Sequence, residues 1–439
     1  MVLEQRGCVR LFTLRFNLKE EGILSGTKPF TISKDLVKQA FQLVKENRGG
    51  AGVDKQTLAD FELDLEDNLY KLWNRMSSGS YFPPPVKAVP IPKKTGGERI
   101  LGVPTVTDRV AQMVVKLVFE PCVEPYFLED SYGYRPKKSA LDAVGITRKR
   151  CWRYDWVLEF DIKGLFDNLD HTLLMKAVKK HTECKWVILY IERWLISPMQ
   201  LPDGTLKERT FGVPQGGVIS PVLSNLFLHY VYDKWMQRNY PRTPWCRYAD
   251  DGLAHCETEE QAVKLLDAVR ERFMECGLEL HPEKTKIVYC KDDNRKKGYP
   301  QEEFDFLGYT FCGRLVKKKA EDIFFVSFTP AVSKRALKSM RAKTRESNLR
   351  NRTDMNLDEI AKQYNPVLQG WINYYGCYNR SSLYPMLRHF NKTLVMWAMR
   401  KYKKLRGHKT RASQFIKGIS ERQPNLFAHW KIGMVSTFA

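Results

Sequence analysis

The segment 247–254 constrains the fold of this chain more than any other. It places Asp250, Asp251 and Gly252 between residues that alternate between apolar and polar. This alternation predicts a tight β-hairpin with carboxylates at its tip. Two neighbouring carboxylates repel each other and favour a bound cation, but the same triplet is common in solvated turns. The rest of the chain must decide between a metal site and an ordinary turn.

The overall charge of the 439-residue chain indicates a polyanionic partner, because the formal net charge is +22. Nucleic acid is the commonest such partner, and a membrane surface is the competitor. However, no apolar run approaches the roughly 20 residues that span a bilayer, and the first residues lack the pattern of a secretory signal. The ten cysteines form no Cys-x-x-Cys pair, so we expect isolated thiols in a reducing compartment.

The first part of the chain predicts helices followed by a basic turn. Residues 28–80 carry apolar side chains at helical spacing. Residues 81–92 are rich in proline, so we expect neither a central strand nor a helix interior there. Lys93 and Arg99 then lie in a basic turn between two short apolar segments. This turn is either an exposed charged hairpin or a flexible cationic finger for a triphosphate.

A mostly buried strand is predicted at residues 156–162, with Asp161 near its carboxyl end. A lone buried aspartate is costly unless it is paired or bound to a metal. Phe166 follows five residues later. Before this strand, the loop 131–136 contains Arg135 among aromatic residues, and it is either a packing corner or a contact for a nucleic-acid template.

The glycine-rich segment 212–221 precedes a predicted helix. Its glycines allow the backbone to approach a ligand closely, and Gln215 offers both an amide donor and an acceptor. The segment is either a flexible entry to a helix or a loop that faces a nucleotide. Strands and helices alternate from residue 81 to 312, which predicts one mixed α/β domain.

The positive charge is concentrated in the last quarter of the chain. Residues 331–439 contain 22 lysines and arginines against 5 acidic residues. Helical spacing dominates this region, and aromatic residues are interleaved between 364 and 378. Basic runs are often only solvated helix faces, but basic helices around an aromatic segment fit an RNA groove, because phosphates bind cations and bases stack on rings. The candidate nucleic-acid-binding residues here are Lys334, Arg335, Lys338, Arg341, Arg345, Lys401, Lys403, Lys404 and Arg406.

Together these segments resemble a group II intron-encoded reverse transcriptase and maturase over almost the whole chain. The reverse transcriptase motifs are similar to residues 160–167, residues 214–217 with Ser220, Pro221 and Asn225, residues 248–251 and residues 306–308. The maturase and DNA-binding motifs are similar to residues 365–366, 370–375 and 424–430. The sequence shows no late cysteine pairs for the family's zinc endonuclease, which favours the compact, endonuclease-lacking bacterial type.

The resemblance implies an α+β protein with the right-hand polymerase fold. Fingers and a palm with an antiparallel sheet would be followed by an α-helical thumb, or maturase, domain. The implied boundaries are 1–80 for an N-terminal extension, 81–312 for fingers and palm, 313–405 for the thumb and 406–439 for a DNA-binding segment.

The resemblance also implies metal-ion catalysis. Two Mg²⁺ ions, with Mn²⁺ as a substitute, would be held by the carboxylates of Asp161, Asp250 and Asp251 and by the carbonyl of Ile162. Hard oxygen ligands of this kind favour Mg²⁺ over zinc. In such a site one ion activates the primer 3′-hydroxyl and the other stabilises the leaving pyrophosphate.

The nucleotide side of the implied site consists of Lys93, Arg99, Phe166 and Gln215. Lys93 and Arg99 would neutralise the triphosphate of the incoming dNTP, and Gln215 would lie beside its sugar. Phe166 would exclude a ribose 2′-hydroxyl and so select deoxynucleotides. The alternative for Phe166 is plain packing in the core.

The implied function is RNA-directed DNA synthesis combined with binding of group II intron RNA, which would assist splicing and mobility. The expected partners are intron RNA, an RNA template with a DNA primer, dNTPs and target DNA. We expect a monomer or dimer in the bacterial cytoplasm and nucleoid. Two alternatives stay open: a host-adopted reverse transcriptase for phage defence, spacer acquisition or DNA repair, and an RNA-binding splicing factor without polymerase activity.

Overall fold

The computed structural model of the chain describes residues 28–92, 97–318 and 322–435. Lys93, predicted to contact a triphosphate, lies outside these ranges. The helices within them are α1 (Lys34–Asn47), α2 (Leu58–Leu63), α3 (Leu65–Ser78), α4 (Val106–Val123), α5 (Ala140–Cys151), α6 (His171–His181), α7 (Lys185–Ile196), α8 (Ser220–Leu228), α9 (Lys234–Asn239), α10 (Glu259–Glu275), α11 (Lys334–Glu346), α12 (Leu357–Tyr375), α13 (Tyr384–Lys401) and α14 (Lys409–Arg422).

The strands form three sheets in the described ranges. They are β1 (Val86–Pro92), β2 (Glu98–Val103), β3 (Trp156–Asp161), β4 (Met199–Gln200), β5 (Leu206–Lys207), β6 (Trp245–Tyr248), β7 (Asp251–Cys256), β8 (Lys286–Tyr289), β9 (Phe304–Phe306), β10 (Tyr309–Lys318) and β11 (Ile323–Val332). None of the described helices is long and apolar enough to cross a membrane.

The first sheet has the strand order β2-β1-β4-β5, so the proline-rich segment does form a central strand. The prediction against a central strand there was wrong. The argument that proline cannot donate a hydrogen bond to a neighbouring strand still applies, because β4 pairs only with Val86 and Lys87 of β1. Pro90 and Pro92 lie further along, where β2 is the partner strand that the structure assigns. A missing proline N–H therefore removes no hydrogen bond to β4.

The second sheet is entirely antiparallel, with the order β6-β7-β3-β8. Both of its faces are covered. Leu158 and Phe160 of β3 belong to one cluster of buried apolar side chains, whereas Val157 belongs to a second cluster. Side chains of a strand alternate between faces, so a strand buried on both faces reads as a nearly continuous apolar run. The predicted buried strand ending at Asp161 is confirmed.

A buried polar side chain of α4 supports the loop before α8. The Gln112 amide donates to Asp108, which also accepts hydrogen bonds from Tyr81 and Trp194. The Gln112 carbonyl in turn accepts from the backbone N–H of Val218 at 2.7 Å. Fully satisfied polar networks of this kind specify one arrangement of the core. The glycine-rich loop is therefore fixed at Val218, close to the start of α8.

The third sheet, β9-β10-β11, continues the chain past the predicted domain boundary at residue 312. β10 runs through that boundary, and β10 and β11 pair along their whole lengths. The next helix begins only at Lys334, after an N-cap at Ser333. The segment predicted to form the helical thumb therefore begins with strands rather than helices, and the boundary itself stays a prediction.

The C-terminal helices pack around the aromatic residues that the sequence suggested as a base-stacking surface. Tyr364, Trp371 and Tyr375 are buried in the second core cluster, together with Phe390 of α13. The 3.6-residue period of α12 places these rings on its inner face. These three rings are core residues, and the stacking interpretation was wrong for them.

The last residues are tied to the same helices. The Asn365 side chain donates to the carbonyl of Leu426 and accepts from the backbone N–H of Ala428. On α13, Asn391 accepts from the side chains of His429 and Trp430. Phe427 and Trp430 lie in the second core cluster. The segment after residue 405 therefore shares a core with α12 and α13, and the four-part division of the chain stays a prediction.

Candidate active site

Three aspartates converge at one end of the antiparallel sheet. Asp161 ends β3 and is the register partner of Asp251, the first residue of β7. Asp250 lies in the two-residue turn between β6 and β7, after Ala249 at φ 56°. The turn therefore places adjacent carboxylates opposite the end of a buried strand. The predicted hairpin with carboxylates at its tip is present.

Glycines allow the close packing around this turn. A Cβ at Gly252 would lie 2.1 Å from the ring of Phe160. A Cβ at Gly133 would lie 2.3 Å from the backbone nitrogen of Ala249. Real Cβ atoms do not approach other atoms so closely, so neither site accepts a side chain without a shift. The Asp-Asp-Gly order therefore has a packing reason as well as a chemical one.

The electrostatics of the three carboxyl groups are unfavourable without a cation. Asp161 is 8% exposed. Burial raises the pKa of Asp251 well above its usual range, and the charges of Asp250 and Asp161 raise it further. Burial and the Asp161 charge also raise the pKa of Asp250. Like-charged groups held together in this way are stabilised by a bound metal ion.

Lys284 is a site residue that the sequence did not single out. Its ammonium lies 2.9 Å from Oδ2 of Asp161, and its charge lowers the pKa of Asp250 and Asp251. The backbone N–H of His281 holds the Asp161 carbonyl at 2.8 Å, which fixes the turn that carries Lys284. The signal available in the sequence was a lysine shortly before a short strand, which is too common to be diagnostic.

The donor set fits a hard cation, although the side chains do not form a complete ligand cage. In the described residues, no three His, Cys, Asp or Glu side chains are grouped closely enough to hold a metal ion by themselves. The carboxylates of Asp161, Asp250 and Asp251 nonetheless offer only oxygen, which Mg²⁺ prefers. Ile162, whose carbonyl was predicted to be a fourth ligand, is buried and pairs with Leu280 in an isolated bridge. The predicted ligand set stays a prediction.

Arg99, Gln215 and Phe166 are the predicted nucleotide residues that the described ranges include. Arg99 of β2 donates through Nε to Oε1 of Gln215. The backbone carbonyl of Gln215 accepts from the N–H of Gly102 at 2.7 Å, so the loop is joined to β2 twice. Arg99 is also close enough to Asp250 for its charge to lower the pKa of that carboxyl group. Phe166 lies in a short 3₁₀ turn after β3 and is 8% exposed.

A buried ion pair holds the hairpin from behind. Arg247 of β6 is fully buried and donates to both carboxylate oxygens of Asp233, at 2.8 and 2.7 Å. It also donates to Asn225, to the carbonyl of Ala249 and to the hydroxyl of Ser131. Multiple charge-assisted hydrogen bonds fix both partners. Arg247 therefore connects the turn before Asp250 to α8 and to the helical turn before α9.

Two predicted nucleic-acid contacts are structural instead. Arg135 is buried, forms an ion pair with Glu124 at 2.8 Å, and donates to the carbonyls of Leu128 and Ser131. The prediction that it binds nucleic acid was wrong, because its guanidinium is occupied within the protein. The ammonium of Lys401 donates to two backbone carbonyls before α12, at 2.9 and 2.7 Å. The Lys401 side chain therefore stabilises the fold by joining the end of α13 to the segment before α12.

The other predicted basic residues lie at the surface. Lys334, Arg335, Lys338 and Arg345 are exposed along α11, and Arg341 is half-buried. The second group is also exposed and follows α13; it consists of Lys403, Lys404 and Arg406. These residues leave a basic face on the helical part of the protein. They do not lie on the buried aromatic face of α12.

The α+β fold and the sheet with its converging carboxylates define a nucleic-acid polymerase of the reverse transcriptase class. Residues 91–311 match the family model "Reverse transcriptase (RNA-dependent DNA polymerase)", and the chain belongs to that family. Residues 337–415 match a second model, the maturase-specific domain of group II introns. The protein is thus a group II intron-type reverse transcriptase and maturase, and RNA is a partner that its domains indicate.

The chain is similar to several known proteins. Protein YkfC of Escherichia coli K12 is 31% identical over an alignment of 312 residues, and the match covers 61% of this chain and 76% of that protein. Group II intron-encoded protein LtrA of Lactococcus lactis subsp. cremoris is 31% identical over 203 residues, which are 46% of this chain and 33% of that protein. A telomerase structure from Candida albicans overlaps with a TM-score of 0.43 at 12% identity, covering 87% of this chain and 69% of the telomerase.

Proposed function

We propose that the protein copies RNA into DNA at the cluster of Asp161, Asp250 and Asp251. The observation that carries this proposal is the register pair Asp161–Asp251, which brings carboxylates from two distant segments to one end of the sheet. The raised pKa values of Asp250 and Asp251, and the negative charge that the three carboxylates bring together, suit the binding of divalent cations. The family assignment supplies the class of reaction.

The residues that would hold the two Mg²⁺ ions are the three aspartates and the carbonyl of Ile162. When bound, such ions activate the primer 3′-hydroxyl and neutralise the leaving pyrophosphate. The protein's own contribution is to fix the carboxylates. Arg247 and Asp233 do this from behind the hairpin, and the backbone of His281 does it for Asp161. Preorganised charge of this kind avoids reorganisation during the reaction.

Arg99, Gln215 and Phe166 would receive the incoming dNTP. Arg99 reaches from β2 toward both Gln215 and Asp250, which suits a cation that binds a triphosphate beside the metal ions. Lys93 would add a second cation. Phe166 would lie against the sugar and exclude a 2′-hydroxyl. The sequence motif, the hydrogen bond from Arg99 to Gln215 and the effect of the Arg99 charge on Asp250 support the assignment.

We also propose that the basic face of α11 and residues 403–406 binds group II intron RNA and assists its splicing and mobility. The support is the maturase-specific match at residues 337–415 together with the exposed cations. An RNA template with a DNA primer, dNTPs and target DNA would be the other partners. A location in the bacterial cytoplasm and nucleoid, and a monomeric or dimeric state, stay predictions.

Primer extension tests the polymerase proposal. The wild-type protein should extend a DNA primer on an RNA template when Mg²⁺ is added and should stop when it is chelated. Asp250→Ala should produce no cDNA, whereas Asp267→Ala, on the exposed side of α10, should behave as wild type. A wild-type protein that makes no cDNA under these conditions would rule out RNA-directed synthesis.

Crosslinking to cellular RNA tests the intron proposal. Sequencing of the bound RNA should return a group II intron, and its self-splicing at low Mg²⁺ should accelerate when the protein is added. The charge-reduced variant Lys338→Ala/Arg341→Ala/Arg345→Ala should lose this effect. Recovery of unrelated RNAs in equal amounts would contradict an intron-specific role.

A further inference from the structure

A chain of three side chains connects the first sheet to the turn that follows β3. Arg99 donates to Oε1 of Gln215, and Nε2 of Gln215 donates to Oδ2 of Asp167 at 3.4 Å. Asp167 is exposed and ends the 3₁₀ turn that carries Phe166. Asp167 is not one of the predicted metal ligands, and the proposed mechanism gives it no role.

The chemistry of the two end groups fixes the orientation of the amide between them. An ionised carboxylate only accepts hydrogen bonds, and a guanidinium only donates them. With Asp167 at one end, the NH₂ group of Gln215 must face Asp167, so its carbonyl faces Arg99. Without Asp167 the amide could rotate, and its NH₂ group would then face the guanidinium without a hydrogen bond.

The surrounding backbone holds Asp167 in register with Gln215. The N–H of Val213 donates to the carbonyl of Phe166 at 2.7 Å, and the N–H of Gly212 donates to the carbonyl of Leu169 at 2.8 Å. Gly212 has φ +77°, and a Cβ there would lie 2.7 Å from the carbonyl oxygen of Asp167. The two loops are therefore fixed to each other immediately before Gln215.

Arg209 adds a further cation beside this chain. It is half-buried, and within the described residues its Nε has no hydrogen-bond partner. Burial lowers its pKa, and the charge of Asp167 opposes that effect. Asp167 therefore acts on two groups, the Gln215 amide and the Arg209 guanidinium.

We propose that Asp167 is a positioning residue for nucleotide binding, which sets the Gln215 amide so that Arg99 is held ready for the triphosphate. This proposal rests on the proposed polymerase function. It assigns Asp167 an effect on dNTP affinity through Gln215 and Arg99, rather than any contact with the reacting atoms. The step after binding should therefore be nearly unchanged when Asp167 is replaced.

Steady-state kinetics on a primed RNA template test this role. Asp167→Ala should raise the KM for dNTP roughly tenfold with kcat within about twofold of wild type, which is the size expected for one lost charge-assisted hydrogen bond. Asp167→Asn keeps the shape of the side chain but removes its charge and adds an NH₂ donor, so it no longer fixes the Gln215 amide and should show a large part of the same increase in KM. Glu208→Ala, an exposed acidic neighbour of Arg209, is the matched control and should leave KM unchanged.

A double variant shows whether Asp167 acts through Gln215. If it does, Asp167→Ala/Gln215→Ala should have the same KM as Gln215→Ala alone, because the effects of coupled residues do not add. If the two effects multiply, or if Asp167→Ala matches Glu208→Ala, the proposal is overturned. If Asp167→Ala does not fold, the KM for dNTP of Asp167→Asn is compared with that of Glu208→Ala. Equal values would overturn the proposal.

Equilibrium binding separates this proposal from the polymerase function. The next dNTP is titrated onto a complex with a dideoxy-terminated primer, with Ca²⁺ in place of Mg²⁺. Asp167→Ala should weaken this binding by the same roughly tenfold factor. If the wild-type protein showed no turnover, the polymerase proposal would fail, but the binding comparison would still decide the role of Asp167. Equal dNTP affinities of wild type and Asp167→Ala would overturn the proposal for Asp167.

Discussion

Arg247 and Asp233 form a fully buried ion pair with two hydrogen bonds, and Arg247 belongs to the hairpin that carries Asp250 and Asp251. Burial raises the pKa of Asp233, and the charge of Arg247 opposes that shift. A buried charge without its partner is strongly destabilising. We therefore expect Arg247→Met to lower the free energy of unfolding by about 3 to 5 kcal/mol, as measured by urea denaturation.

A surface ion pair gives the matched control for this prediction. Arg270 and Asp267 lie 2.8 Å apart on α10, but both side chains are largely exposed. Arg270→Met should change the free energy of unfolding by no more than about 1 kcal/mol. If Arg247→Met were equally mild, the ion pair would not be what holds the hairpin.

Acid should destabilise the protein through His429. Burial lowers the pKa of His429 to about 3, whereas an unfolded histidine titrates near pH 6.5. Between these values the unfolded state binds the extra proton, so stability is full above pH 6.5 and falls as the pH decreases. At pH 5 the loss from this residue should be about 2 kcal/mol.

Urea denaturation between pH 7.5 and 5 measures this effect. His429→Phe should show a shallower decline than wild type, although it loses the hydrogen bond to Asn391 at every pH. The variant retains His229 and His255, which burial also shifts to a pKa of about 3, so part of the decline should remain. An identical pH dependence in variant and wild type would contradict the assignment to His429.

RNA affinity should depend strongly on salt. A plot of log affinity against log salt concentration should be linear, because the cations of α11 displace counterions from phosphates. The variant Lys338→Ala/Arg341→Ala/Arg345→Ala should reduce the magnitude of the slope by about 2. Lys264→Ala/Arg270→Ala, on α10, should leave it unchanged. A flat plot for wild type would show that α11 is not the RNA-binding face.

Phe166 should control the choice between deoxyribonucleotides and ribonucleotides. Phe166→Val should raise the relative incorporation of rNTPs by roughly tenfold or more in single-nucleotide extension assays, because it removes the bulk beside the sugar. Leu165→Val, at a buried neighbouring position, controls for lost packing. If both variants discriminate as wild type does, Phe166 serves only the core.

Much of the fold could be predicted because its determinants are local. The apolar run before Asp161 predicted a mostly buried strand, and the alternation around Asp250 and Asp251 predicted the hairpin. Helix caps such as Ser33 are also local signals. The proline-rich strand β1 was missed because pairing with β4 stops before its prolines, which depends on a strand more than 100 residues away.

The remaining errors concern side chains whose partners are distant or whose burial depends on tertiary packing. Arg135 reads as an exposed cation, but its ion pair with Glu124 requires the loop to fold back onto α4. Tyr364 and Trp371 read as stacking residues, but both are buried in the second core cluster, where the ring of Tyr364 contacts that of Phe390 on α13. Lys284 was overlooked because 123 residues separate it from Asp161.

The most direct test of the catalytic assignment is single-turnover extension by Asp161→Asn, which keeps the shape of the side chain and removes its charge. The rate of the first nucleotide addition should fall by roughly a thousandfold or more, while primer–template affinity stays within a few fold of wild type. Asp267→Asn should retain the wild-type rate. A rate for Asp161→Asn within about threefold of wild type would contradict the assignment of Asp161, Asp250 and Asp251 as the catalytic centre.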